Sequence, residues 1–235
     1  MHKSSDRRRP TFSKELQVIY EDDAVVAVNK PPGLIAVPVA GSNTPSALSI
    51  VSEALKQQRQ RALVVHRIDR FTSGLLLFAK TAVARDVMIK QFLAHTTVRQ
   101  YLAVVRGRLG PKEGKVVHYF KKEGMFQQLR PASDSEAARA EMMYTIERPL
   151  VGATLVRVTL ITGLQNQIRV QLSAMGHPVV GDRKYHAEEA QERRIARVAL
   201  HAAHLEFVHP ITRKNVSIDC DPPSDFRLLV QAMSK

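Results

Sequence analysis

Hydrophobic and polar positions alternate with two different periods along this chain, and the switches between them mark its elements. Residues 16–30, LQVIYEDDAVVAVNK, predict two short strands about an acidic turn at Glu21 to Asp23, and Pro31, Pro32 and Gly33 end them. Within 44–58 Ala47, Ile50, Val51 and Leu55 share one helical face, with Pro45 near its start. GLLLFAK (74–80) has the length of a short strand and no polar side chain from Gly74 to Ala79, so it is predicted to be buried. Residues 81–95 return to the helical period, with Val83, Val87, Met88, Ile89 and Phe92 as the apolar side, and 99–107 is a strand ended by Gly107.

Several strands follow between 114 and 161. The last of them, ATLVRVTLIT (153–162), is apolar on both faces and is predicted to be central. A helix over 166–176 carries Ile168, Leu172 and Met175 on one stripe and stops at Gly176. A long strand lies within 196–210, and a last helix over 222–235 begins at Pro222, Pro223 and the N-cap candidate Ser224. Strands outnumber helices and often follow one another directly. The fold class expected is α+β, with a large, mostly antiparallel mixed sheet flanked by helices and loops.

Composition sharpens this picture. The 235 residues suffice for one large domain or two small ones, and 44% are hydrophobic, as in ordinary globular proteins. The single cysteine, Cys220, has no internal partner for a disulfide, and the basic start is followed by no apolar stretch of a secretory signal. No apolar run approaches the about 18 residues of a membrane span. A soluble, cytoplasmic protein with no membrane contact is expected. The net charge of +13 is divided between two regions. Residues 1–14 hold five cations against Asp6, a net +4, which leaves +9 for the remainder. That excess in the body is the footprint of a polyanion binder, set against the plainer reading of charge kept for solubility. The expected organisation is a basic flexible tail over 1–14 and a single domain over 15–235.

Several constellations fail. GPKEGKV (110–116) has one residue too few between its glycines for a phosphate loop. His201 and His204 should face opposite ways in a strand, and no cysteine pair supports a metal site. Without Trp, and with 6% aromatics, a stacking platform for single strands is not expected.

HRIDRFTSGLLLFAK (66–80) is different. Asp69 lies between Arg67 and Arg70, whose charges favour its ionised form, and its loop is anchored at the mouth of a core strand. An anionic carboxylate can act as nucleophile, base or stabiliser of positive charge. In isolation, a turn-capping or surface-paired aspartate would be the better reading of such a pattern.

This stretch resembles the catalytic motif of the RluA-type pseudouridine synthases: His-Arg-Leu-Asp-Arg, one variable residue, Thr-Ser-Gly, then an apolar strand ending in Ala-Lys. VAVNKPPGL (26–34), RQYLAVVRG (99–107), TGLQNQIRVQLSAMGHPVVGDRKY (162–185) and ALHAAHLEFVHPIT (199–212) resemble further blocks of that family, in its order. The resemblance implies a pseudouridine synthase-like catalytic domain, and with only about 15 residues before the first strand no S4-like module is expected. It implies an isomerase that turns uridine in structured RNA, rRNA or tRNA, into pseudouridine without metal or cofactor. Asp69 falls on the catalytic aspartate, Tyr101 on the active-site tyrosine that packs on the base, and Arg169 on the basic residue that pairs with the aspartate. Arg67 falls on the arginine that helps hold the base out of its stack. The expected substrate contacts are His66, Arg67, Arg70, Thr72 and Gln167, and a monomer is expected. Leu164 stands where the family usually has Arg, Asn166 where His is common, and Val37 where His often precedes the proline. Two other readings compete: a non-catalytic RNA-binding relative in RNA or ribosome assembly, and a base-excising glycosylase.

Overall fold

A computed structural model describes residues 16–41, 44–124, 126–186, 189 and 192–234. The expected basic tail lies outside the described residues. Eleven strands form one sheet: β1 Gln17–Glu21, β2 Val25–Lys30, β3 Leu63–Val64, β4 Ser73–Ala79, β5 Val98–Arg106, β6 Glu113–Glu123, β7 Phe126–Arg130, β8 Ala138–Leu150, β9 Ala153–Leu160, β10 Leu200–Val208 and β11 Asn215–Asp219. Among the described residues four α-helices accompany it: α1 Ala47–Leu55, α2 Ala82–Leu93, α3 Gln167–Ala174 and α4 Ser224–Ala232. The order across the sheet is β1-β2-β4-β10-β5-β9-β8-β6-β7, with β3 on β4 and β11 on β10. Every pairing is antiparallel except β4 with β10. The expected α+β class and mixed sheet are therefore what the chain adopts.

The apolar run of β4 has a plain cause: both faces of that strand are covered. Leu75, Leu77 and Ala79 join the main core together with Ala84 and Met88 of α2. Leu76 and Phe78 point the other way, into a second cluster with Val26, Val28 and Val51 and Leu55 of α1. A strand covered on both faces loses the alternation of a half-solvated one and reads as continuous hydrophobe. β9, expected to be central, lies between β5 and β8. In α2 the buried side is rotated from the expected one. Ala84 and Met88 are buried while Val83 is 64% exposed, because β4 meets the helix along the Ala84–Met88 line. At α4 the N-cap is Pro223 in extended conformation and Ser224 is the first helical residue, so the helix begins one position earlier than expected.

Gly74 shows why the parallel pairing needs glycine. It has φ +104°, and a Cβ there would lie 2.2 Å from the Ala202 carbonyl oxygen of β10. No side chain fits between these backbones, so β4 and β10 close directly behind the loop that carries Asp69.

The same junction buries His201. Its Nδ1 lies 2.9 Å from Ser73 Oγ and its Nε2 2.8 Å from the Cys220 carbonyl. The Nε2–H donates to that carbonyl and Nδ1 accepts from the serine, so the neutral ring has both partners. Burial pushes its pKa down to about 4. The unfolded chain therefore binds a proton near pH 6.5 that the folded chain refuses until about 4. Stability is fully present above 6.5 and falls as pH drops through this window, by up to about 3 kcal/mol from this group. Urea unfolding at pH 7 and pH 4.5 checks it, and His201→Gln should flatten the difference. An unchanged slope in that variant would assign the acid sensitivity elsewhere.

Candidate active site

Asp69 opens a tight turn in which Thr72 N–H donates to the Asp69 carbonyl at 3.1 Å. A second turn, residues 30–34, clasps it. Gly33 N–H donates to the Arg70 carbonyl at 2.8 Å, and Arg70 Nε returns a bond to the Gly33 carbonyl at 2.9 Å. Lys30 is fully buried beneath, and its Nζ donates to the carbonyls of Pro31, Leu34 and Arg70 at 2.9–3.1 Å. Burial pushes its pKa down to about 7, the cations Arg197 and Arg70 adding to this and Asp69 opposing it. Three carbonyls match the three N–H groups of an ammonium, and a neutral amine would set its lone pair against one of them. The charged form is the one this geometry holds. The aspartate turn is thus pinned from below on a rigid strand end.

Arg169 reaches Asp69 from α3, 100 residues away. Its Nη1 lies 3.3 Å from Asp69 Oδ2 and 2.9 Å from Asn166 Oδ1. Its Nε and Nη2 form a closer, two-pronged pair with Asp182 at 2.7 and 2.6 Å. Burial works against the charge on Arg169, but the carboxylates of Asp182 and Asp69 outweigh it and its pKa is raised. Asn166 caps α3 in the left-handed region, φ 56°, a conformation Asn tolerates better than most residues, and its amide donates to the Tyr185 hydroxyl at 3.0 Å.

Tyr101 sits on β5 opposite Ala202 of β10 and Val158 of β9. That register sets it one strand beyond the β4–β10 junction, beside the aspartate turn. Burial pushes the phenol up to about 12, with Arg99 opposing and the Asp69 charge adding. His66 stacks on Phe92 with ring centroids 4.6 Å apart and accepts from Leu77 N–H through Nε2 at 3.0 Å. Burial, reinforced by Arg99, pushes it down to about 3, so the ring is neutral and carries its proton on Nδ1.

These residues border one cleft of about 490 Å³, within the size range of small-molecule pockets. Asp69, Tyr101, Arg169, His66, Arg67, Thr72 and Gln167 all line it; Arg70 does not, being turned toward Gly33 and the Phe71 ring. Thr72 is buried and its hydroxyl makes no hydrogen bond among the described residues. Gln167 has every position of its amide occupied. Oε1 accepts from Thr162 Oγ1 and Leu164 N–H, and Nε2 donates to the Glu141 carbonyl and Gln171 Oε1. It holds the 162–164 loop against β8 and has no bond left to offer. Leu164 packs with Phe120, Ala140, Val170 and Tyr185 in a small apolar cluster at the cleft wall. A hydrophobe therefore suits this position.

Sequence reasoning passed over Asp182, Lys30 and Arg99, and noted Asn166 only as a departure from a common His. Asp182 stands in GDRKY with nothing in its spacing to tie it to Arg169, and only the fold makes that pair. Among the described residues no group of His, Cys, Asp and Glu is arranged to hold a metal ion. No described helix is long and apolar enough to cross a membrane.

Residues 24–174 match the model of the family described as RNA pseudouridylate synthase. Over 230 residues the chain is 34% identical to "Ribosomal large subunit pseudouridine synthase D" of Zymomonas mobilis, covering 93% of this chain and 73% of that one. It is 33% identical over 211 residues to "Dual-specificity RNA pseudouridine synthase RluA" of Vibrio parahaemolyticus, covering 87% and 83%. Among solved structures, "Human RNA Pseudouridylate Synthase Domain Containing 4" shares the fold with TM-score 0.76 at 20% identity over 92% of each chain.

Proposed function

The chain belongs to the RNA pseudouridylate synthase family and is an isomerase of that kind, and from that premise we propose that it acts on uridines of large-subunit ribosomal RNA in the cleft around Asp69. The names of the relatives motivate the choice of RNA. The proposal extends to a single catalytic domain over 15–235, at work in the cytoplasm where ribosomes are built.

One observation carries the assignment of the site. Asp69, Tyr101 and Arg169 come from a turn, a strand and a helix that are distant in sequence, and they meet at one cleft. Pseudouridine formation breaks the bond from N1 to C1′, turns the base, joins C5 to C1′, and moves a proton from C5 to N1. No water is added and nothing leaves. A hydrolytic glycosidase uses two carboxylates. Here Asp182, the other acid beside Arg169, is buried with both oxygens held by that arginine, which leaves Asp69 as the carboxylate facing the cleft. Asp69 attacks or stabilises the sugar or base as the glycosidic bond opens. Arg169 holds the carboxylate's direction from its own seat on Asp182. Arg67, exposed at the rim, stands where a cation supports the extruded nucleotide, whose unstacking costs a few kcal/mol.

Tyr101 works as a phenol. With its pKa at about 12, only about one molecule in 10⁵ carries a phenolate at pH 7. Tyr101→Phe keeps the packing ring and loses the hydroxyl, so turnover is expected to fall about a hundredfold with little change in melting temperature. A wild-type rate would leave Tyr101 as packing alone.

The reading is tested by incubating the purified chain with ribosomal RNA and with tRNA transcripts and mapping pseudouridine in each by mass spectrometry. Modification of large-subunit RNA supports it. Modification of tRNA alone would overturn the choice of substrate.

A further inference from the structure

Among the described residues three arginines are more than nine-tenths buried: Arg99, Arg169 and Arg197. Two of them hold a carboxylate with two bonds each, Arg169 on Asp182 and Arg197 on Asp225. Arg99 has no carboxylate partner among the described residues. Its Nη2 donates to the Ile161 carbonyl at 3.0 Å, its guanidinium lies 5.6 Å from the Phe92 ring centre, and its Nε is buried without a hydrogen bond. Arginine stays charged where lysine would shed its proton, so burial leaves a cation short of an anion. Burial pushes the group down, and the neighbouring Tyr101, a neutral phenol at pH 7, supplies no compensating charge.

Arg99 lines the same cleft as Asp69. It stands two residues before Tyr101 on β5, so both side chains leave the strand on the same face. Gly163, also on the cleft wall, lies against it: a Cβ there would be 2.7 Å from Arg99 Nη1. The bare glycine is what leaves the guanidinium its place.

We propose that Arg99 is a phosphate-binding residue that takes the phosphodiester flanking the target uridine while the base lies against Tyr101. A planar guanidinium fits a phosphate with two bonds, and an RNA strand brings a phosphate and no carboxylate. The bound phosphate supplies the missing anion, so the same contact that positions the nucleotide neutralises a buried charge. This rests on the reading of the cleft as the uridine site.

The test titrates the full chain with uridine and with uridine 3′,5′-bisphosphate, following the arginine Nε–Hε signals by NMR. The bisphosphate should bind about tenfold more tightly than uridine and move the Arg99 signal, in line with a charge-assisted pair. Arg99→Gln should erase that preference, bringing the affinities for the two ligands together. Gly163→Ala keeps the charge but displaces the guanidinium, so it should lose most of the preference; it decides the matter alone if Arg99→Gln does not fold. Equal affinity for the two ligands in the wild-type chain, or a preference that survives both substitutions, overturns the proposal while the uridine site stands. If uridine and the bisphosphate both leave the signals of Tyr101 and Leu164 unmoved, the reading of the cleft falls and this proposal with it.

Discussion

Asp69→Asn is expected to lower turnover by at least roughly 10⁴-fold, the scale seen when a catalytic group is removed from a working set. The change deletes one charge at constant shape. Its structural cost should be small, because Arg169 keeps its two bonds to Asp182 and is not left unpaired. The lost contact is a single one at 3.3 Å from a partly exposed carboxylate, worth about 1 kcal/mol or less. Tritium release from C5-labelled uridine in RNA measures the first part and thermal unfolding the second. Turnover within tenfold of wild type would take Asp69 out of the chemistry. A large fall in melting temperature would mean that its role is to hold the turn.

Asp182→Asn reverses that pattern. Asp182 is 1% exposed and carries the closer pair with Arg169, while its Oδ1 also accepts from Lys184 and Tyr185 N–H groups. Asn can keep the turn bonds but not the charge. Arg169 is then buried with only Asp69, at 3.3 Å, as a counter-ion. Breaking a buried pair in this way costs about 3 kcal/mol, and turnover is expected to fall as well because Arg169 is drawn from its seat toward Asp69. Urea midpoints at constant slope report the loss. The double substitution Arg169→Met with Asp182→Asn removes both charges and should recover part of the stability. A double variant as unstable as the two losses added together would show that the pair is not coupled.

Much of the fold was legible because local pattern and burial agree. The apolar run at 74–79 reads as a strand covered on both faces, and α1 and α2 cover those faces. Asp69, Tyr101 and Arg169 could be picked out only because a long motif resembles a family. On spacing alone each has a plain structural reading. What stayed hidden was pairing across distance. Nothing near Arg169 announces Asp182, and nothing near Gln167 shows that four internal bonds absorb its amide. The buried side of α2 was misjudged at Val83, because hydrophobic spacing fixes a stripe only to within a residue of where the neighbouring strand meets it. β3, two residues long, is too short to leave any period at all.

The place of β10 has a consequence for how the protein comes into being. This strand enters late in the chain yet lies in the middle of the sheet, between β4 and β5. Until Leu200–Val208 has left the ribosome, the strands bearing Tyr101 and following Asp69 present unpaired edges to one another and to other chains. Synthesis at about 5–20 residues per second exposes those edges for several seconds. The nascent chain is therefore at its most association-prone when most of its core sequence already exists. The proposed site is not yet assembled then, since the strand after Asp69 and the strand bearing Tyr101 are still without the strand that lies between them.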